Sequence, residues 1–213
     1  MPSNVDVPFR NHQLTPEEDK QMGIPPGIDL GTTNSVIAAV REGQPSVAEN
    51  AEGKLTTPSV IHFPEQGPPV VGEMALRMAM IKPNRTVQEV KRLRGEDVNA
   101  WTDPVSGDQL SPPQIEQHIL AHLIECAEAY FGEEVEGTVV SVPAYFTDAQ
   151  RKATEQIGKL AGVRVLGIRN EPSMALRIYC YTHPEIANGM WMVVDLGGGT
   201  FDCTVARVTG DEI

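Results

Sequence analysis

Two segments of this chain echo one another: GIDLGTTNS (27–35) and VDLGGGTFD (194–202). Each closes an apolar strand with Asp, continues through Leu-Gly into a small-residue turn containing Thr, and then begins another β-branched strand. A β-hairpin of this composition has a tip that lets an anion come close. Glycine removes the side-chain obstacle, the turn N–H groups point at the anion, and threonine hydroxyls add donors. A single Asp-x-Gly turn is a common structural turn. Two copies far apart in one chain are harder to explain that way, because two hairpins from two lobes can clamp one nucleotide between them.

The pattern between and around the echoes is mixed. Residues 1–23 are polar and without sustained period, and read as a mobile arm before the fold. Short β-branched runs at 34–40, 58–63 and 68–71, bounded by Gly, Pro or Asn, read as strands. Helical segments are expected at 72–80 and 86–93, with Met74, Met78 and Met80 packing the first of them. Ser111 and Gln114 form a capping box with Pro112 in the first turn, and Ile115, Ile119, Leu123, Ala127 and Phe131 then share a face. A strand at 138–142 ends at Pro143, Thr147 and Gln150 cap a helix to about 161, and a further strand (163–168) and a helix from Pro172 follow. WMVVDLG (191–197) reads as a buried strand. Strand, helix, strand in succession means an α/β fold with a largely buried sheet and helices on its faces. Pro25 and Pro26 shorten the strand before Asp29.

Charge narrows the function. A formal net charge of −12 removes the counterion-release driving force for nonspecific nucleic-acid or anionic-membrane binding, so neither is an expected partner. An acidic protein holds a polyphosphate only through local backbone donors and a metal ion. The three cysteines, Cys126, Cys180 and Cys203, are widely spaced with no CxxC pair, and His62, His118, His122 and His183 lack ligand spacing. Reduced thiols in a cytoplasmic protein are the simplest reading. No signal or transit peptide and no membrane span is expected.

Between the echoes stand ENAEGKLTTPSV (49–60), VKRLRG (90–95), SVPAYFTDAQRKAT (141–154) and RNEPSMA (169–175). With the two hairpins, and in this order, they resemble the ATPase domain of the seventy-kilodalton heat-shock (DnaK-type) chaperones from about residue 27 onward. The resemblance implies an actin-like (ribonuclease H-like) ATPase fold. Residues 24–190 are then the first lobe, with a peripheral subdomain at about 60–110 and trimmed between Lys91 and the Ser111 cap, and 191–213 begin the second lobe. It implies ATP or ADP as ligand and Mg²⁺ held through water by Asp29, Glu171 and Asp195. Gly31, Thr32, Thr33 and Asn34 of the first hairpin, with Gly197, Gly198, Gly199 and Thr200 of the second, are implied phosphate-holding residues. Lys91, Glu171, Asp195 and Thr200 are the implied catalytic set, Lys91 supplying positive charge during in-line displacement. Pro143 and Arg151 match positions that relay nucleotide state.

Partners implied by the resemblance are client proteins of the complete chaperone and a nucleotide exchange factor. Gly167 and Ile168 occupy the stretch where the family carries an arginine for its J-domain partner, which speaks against that contact. With the second lobe only begun, ATP binding is expected of this chain, and hydrolysis driving protein folding is expected of the complete protein. The alternative is a noncatalytic, truncated interaction protein of the same family.

Overall fold

A computed structural model describes residues 25–186, 188–198 and 201–209. The expected arm at 1–23, together with Gly199 and Thr200, lies outside the described residues.

The chain enters the fold through β1 (Gly27–Asp29), which is short because Pro26 precedes it. Having no N–H, Pro26 contributes only its carbonyl, which accepts the Val139 N–H (3.0 Å) and the Thr138 hydroxyl (2.8 Å). Strand β2 (Asn34–Arg41) folds back antiparallel on β1, and β3 (Gln44–Val47) returns on β2. Glu42 (φ 50°) and Gly43 (φ 77°) supply the left-handed turn between β2 and β3.

The run expected at 58–63 is broken into β4 (Thr57–Pro58), paired with β2, and β5 (Val60–His62). Beyond it come β6 (Val70–Val71) and helix α1 (Glu73–Ile81). Ala75 is the buried residue of α1, while Met74 is 53% and Met80 92% exposed. Met74 and Met80 therefore do not pack this short helix, contrary to the sequence expectation, while Met78 is half-buried. Nor is 86–93 a helix: Thr86–Gln88 form strand β7, which pairs with β5, and Val90–Leu93 form one 3-10 turn. β-Branched Thr86 and Val87 favour the strand, and Glu89 at φ 55° breaks any helical continuation.

A small ribbon of β8 (Trp101–Thr102) and β9 (Gln109–Leu110) leads into α2 (Pro112–Phe131). The capping box is present, with Gln114 Oε1 accepting the Ser111 N–H at 2.9 Å, and Gly132 at φ 74° ends the helix. Strand β10 (Gly137–Val142), helix α3 (Asp148–Leu160) and strand β11 (Arg164–Asn170) form a βαβ unit, β11 lying parallel to β10. The second box is also present, the Thr147 N–H donating to Gln150 Oε1 at 2.9 Å. Helix α4 (Glu171–Thr182) leads to the hairpin of β12 (Gly189–Leu196) and β13 (Phe201–Val208).

The main sheet has the order β11-β10-β1-β2-β3, with β4 attached to β2, and β1 runs parallel to β10 at its centre. Its inward residues Ile28, Leu30, Ile37 and Val140 meet Ile115, Ile119, Leu123 and Ala127 of α2 and Ile157 of α3 in one core. By contrast, β12 and β13 form a separate two-stranded sheet. WMVVDLG is not the buried strand its composition suggests, since Met192 (66%), Val194 (54%) and Leu196 (81%) are exposed. Among the described residues no helix is long and apolar enough to cross a membrane.

Ile119, 1% exposed, tests the core directly. Ile119→Ala is expected to cost about 2–5 kcal/mol in urea unfolding, whereas Met80→Ala changes stability by less than about 0.5 kcal/mol.

Candidate functional site

The first hairpin tip is the turn between β1 and β2, and it closes tightly. A Cβ on Gly31 would stand 2.0 Å from the Asn34 carbonyl oxygen, so only glycine fits. Ser59 holds this tip from outside. Its Oγ donates to the Gly31 carbonyl (2.8 Å) and lies 2.8 Å from Ser35 Oγ, while its N–H donates to the Thr33 carbonyl (2.8 Å). Ser59 is in turn placed by the loop that Asn50 organises. Asn50 Oδ1 accepts the N–H groups of Glu52 (3.1 Å) and Lys54 (2.9 Å), and its Nδ2 donates to the Thr56 carbonyl (3.2 Å). The ENAEGKLTTPS stretch is thus a buttress for the tip.

The second tip belongs to the β12–β13 hairpin, whose register pairs Asp195 with Asp202 and Leu196 with Phe201. It meets the first. A Cβ added at Gly198 would lie 2.4 Å from Thr33 Oγ1, so the two turns are in contact and glycine is required there. Gly31, Thr32, Thr33 and Asn34 are thereby brought together with Gly198 and its neighbour Gly197.

Beside the tips lies a charged cluster. Lys91, on the 3-10 turn, is 7% exposed, and its Nζ donates to Glu171 Oε1 at 2.8 Å. Glu171 is the first residue of α4, where the helix dipole favours a carboxylate. Burial nevertheless pushes the Glu171 pKa above its ordinary value; Lys91 opposes this through charge and hydrogen bond, and Asp29 and Asp195 reinforce it. Asp29, at the end of β1, keeps solvent exposure overall, but its carboxyl is crowded by protein. That desolvation raises its pKa, against the pull of Lys91 and Arg94 and with the push of Asp195. Three carboxylates therefore sense one another, with too little cationic compensation.

Such an arrangement suits a hydrated cation. Among the described residues no group of three or more His, Cys, Asp or Glu stands close enough to hold a metal ion directly. The glycine-rich tips, with turn N–H groups and threonine hydroxyls, suit a polyanion.

Around the cluster, Arg151 Nη2 donates to Asn170 Oδ1 (2.8 Å) and its Nε to the Phe146 carbonyl (3.3 Å). The Phe146 N–H donates to the Pro143 carbonyl (3.1 Å), so Pro143, Phe146, Arg151 and Asn170 form a connected bracket ending one residue from Glu171. Ser59, Ser35 and Phe146 were not singled out by sequence reasoning. Their signal was present in TTPSV, GTTNS and VPAYF, as residue types that orient rather than react.

A family model described as Hsp70 protein matches residues 25–211. The chain belongs to the Hsp70 protein family. Membership of this Hsp70 family brings nucleotide binding and, in general terms, chaperone interaction with client proteins.

Glu171 and Asp29 both titrate above their ordinary range, so each favours folding while protonated. That contribution fades as pH rises from the unfolded pKa through the higher folded one. Asp195→Asn removes a charge that burdens both. Its melting temperature without ligand is expected to rise by about 1–3 °C at pH 7, and the gain shrinks toward pH 4 as Asp29 and Glu171 take up protons. Scanning calorimetry at the two pH values checks this.

Proposed function

We propose that this chain is the nucleotide-binding part of a DnaK-type chaperone, taking ATP or ADP with magnesium between its two hairpin tips. In the complete protein, ATP hydrolysis then drives the folding of client proteins. The observation that carries this reading is the contact of Gly198 with Thr33 beside the Lys91–Glu171 pair. Anion-accepting turns and a compensating charge cluster meet at one place.

In this reading the fold is actin-like, residues 24–190 being the first lobe and 191–213 the start of the second. Gly31, Thr32, Thr33, Asn34, Gly197, Gly198, Gly199 and Thr200 hold the phosphates. Asp29, Glu171 and Asp195 hold hydrated Mg²⁺, which supplies positive charge to the phosphate oxygens when bound. Lys91 Nζ offers its protons to the oxygens on which negative charge gathers during phosphoryl transfer. Glu171 keeps that ammonium in place and, with Thr200, orients the attacking water. Pro143 and Arg151 belong to the bracket that ends at Asn170 and carry the state of the site outward. A nucleotide exchange factor is a fitting partner, Gly167 and Ile168 make a J-domain protein a doubtful one, and the protein works in the cytoplasm.

A noncatalytic interaction role does not account for the cluster. Carboxylates held above their ordinary pKa burden the folded chain, and a protein freed from nucleotide chemistry has no need of them.

Isothermal titration calorimetry of the purified chain is expected to show saturable ATP binding that requires Mg²⁺ and weakens about tenfold or more in Asp195→Asn. Lys91→Ala is expected to keep binding in this chain, while in the complete protein single-turnover hydrolysis falls by roughly 10²–10³. Absence of binding at millimolar ATP would overturn the reading.

A further inference from the structure

Lys91 is carried by very little regular structure. The 3-10 turn Val90–Leu93 lies between Glu89 in the left-handed region (φ 55°) and Gly95 (φ 85°). Its own backbone bonds include Arg92 N–H to the Glu89 carbonyl (3.0 Å) and Arg94 N–H to the Lys91 carbonyl (3.2 Å). A single turn of this kind frays readily, because short 3-10 runs have poor hydrogen-bond geometry. Something else must fix the point from which the Lys91 side chain projects.

That fixture is Arg94. Its side chain is 0% exposed, and it meets Glu116 of α2, 1% exposed, in a two-point contact. Arg94 Nε donates to Glu116 Oε2 at 3.0 Å, and Nη2 donates to Oε1. Arg94 Nη1 also reaches Thr154 Oγ1 of α3 at 3.4 Å, and that hydroxyl donates to the Gln150 carbonyl at 2.9 Å. The guanidinium thus ties the turn to both helices at once. The Phe146 ring also lies near both cations, 5.7 Å from Arg94 Cζ and 5.9 Å from Lys91 Nζ. Next in the chain, a Cβ on Gly95 would lie 2.7 Å from Gln150 Cγ and 3.0 Å from its backbone nitrogen, so the turn ends flush against the start of α3.

The energetics separate this from ordinary packing. Taking both charges out of water is expensive, and apolar residues of similar volume hold such a site at equal or greater stability. What the ion pair supplies instead is geometry: a planar fork on a carboxylate admits one orientation, whereas packed methyl groups tolerate several. We infer that the buried Arg94–Glu116 pair is a positioning clamp that fixes the 3-10 turn, and through it the placement of the Lys91 ammonium on Glu171. This rests on the nucleotide-hydrolysing role proposed above. Arg94 and Glu116 touch neither phosphate-holding turn and act through Lys91, so both are positioning residues.

The test is the double variant R94M/E116L in the full chain, with Arg94→Lys beside it. A thermal midpoint at or above that of the parent is expected for the double variant. In the ligand-free protein, acetylation of Lys91 by an N-hydroxysuccinimide ester, read by peptide mass spectrometry, is expected to rise several-fold as the ammonium leaves Glu171. In the complete protein, single-turnover hydrolysis of Mg-ATP is expected to fall roughly 10- to 100-fold, as for a misplaced group, with the ATP Kd little changed. Arg94→Lys, which keeps the charge but not the fork, is expected to fall between. A folded double variant with parental Lys91 labelling overturns the clamp, whatever its midpoint, and assigns the pair to packing. Should the double variant not fold, Arg94→Lys decides on the same labelling. If the parent binds no Mg-ATP, the nucleotide reading fails by itself, and labelling still decides the clamp.

Discussion

The site depends on one bond, from Lys91 Nζ to Glu171 Oε1. It joins two elements that the sequence keeps far apart, and it sets the charge balance for the carboxylates around it. Glu171 has two reasons to ionise, the start of α4 and the lysine, yet burial outweighs them and leaves its pKa raised. Asp29 shows the same order of effects, with desolvation first and the lysine second. Desolvation wins at both positions because no single ammonium compensates three mutually repelling carboxylates. A site in that condition is stabilised by an arriving cation and strained without one, which is how an acidic protein comes to bind a polyanion together with its counterion.

The two hairpins differ in how well the rest of the molecule supports them. The first is the centre of the main sheet: β1 pairs with β2 on one side and β10 on the other, and Ile28, Leu30 and Ile37 lie in the core. The second is a two-stranded sheet, an arrangement that is marginal by itself. Its Phe201 (65%) and Val205 (62%) are exposed with Met192, Val194 and Leu196, and Asp202 Oδ2 is buried with no partner among the described residues. Contact of Gly198 with Thr33 therefore joins a rigid tip to a loosely supported one.

Much of this was legible in sequence where a local rule fixed the outcome. Both capping boxes announced their helices, Pro26 announced a short first strand, and the repeated Asp-Leu-Gly turns announced two tips that meet. What failed were places where tertiary context overrides local pattern. Residues 86–93 carry helical spacing, but strand pairing with β5 and the left-handed Glu89 take precedence. Met74 and Met80 of α1 lie on its exposed side because a nine-residue helix buries little more than Ala75. WMVVDLG is apolar enough for a core strand, yet its even-numbered residues meet no second layer among the described residues. Arg94 and Glu116 were invisible for a different reason. A buried ion pair between residues 22 apart leaves no periodic trace, and each residue alone reads as a solvated charge.

The functional groups share an architectural trait that explains why the supporting residues matter so much. Thr33 sits on a hairpin tip, Lys91 on a single 3-10 turn, and Glu171 at the first position of a helix. Each place offers exposed donors or a projecting side chain, and each lacks the repeated backbone hydrogen bonds that make helix and sheet interiors rigid. Precision has to be imported by side chains from neighbouring elements. Ser59 supplies it to the first tip, Arg94 with Glu116 to the turn, and Arg151 with Asn170 to the approach to Glu171. These three fixtures come from different parts of the chain but all bear on one small region. The core makes the fold stable, while the placement of reactive atoms is set by a few polar contacts.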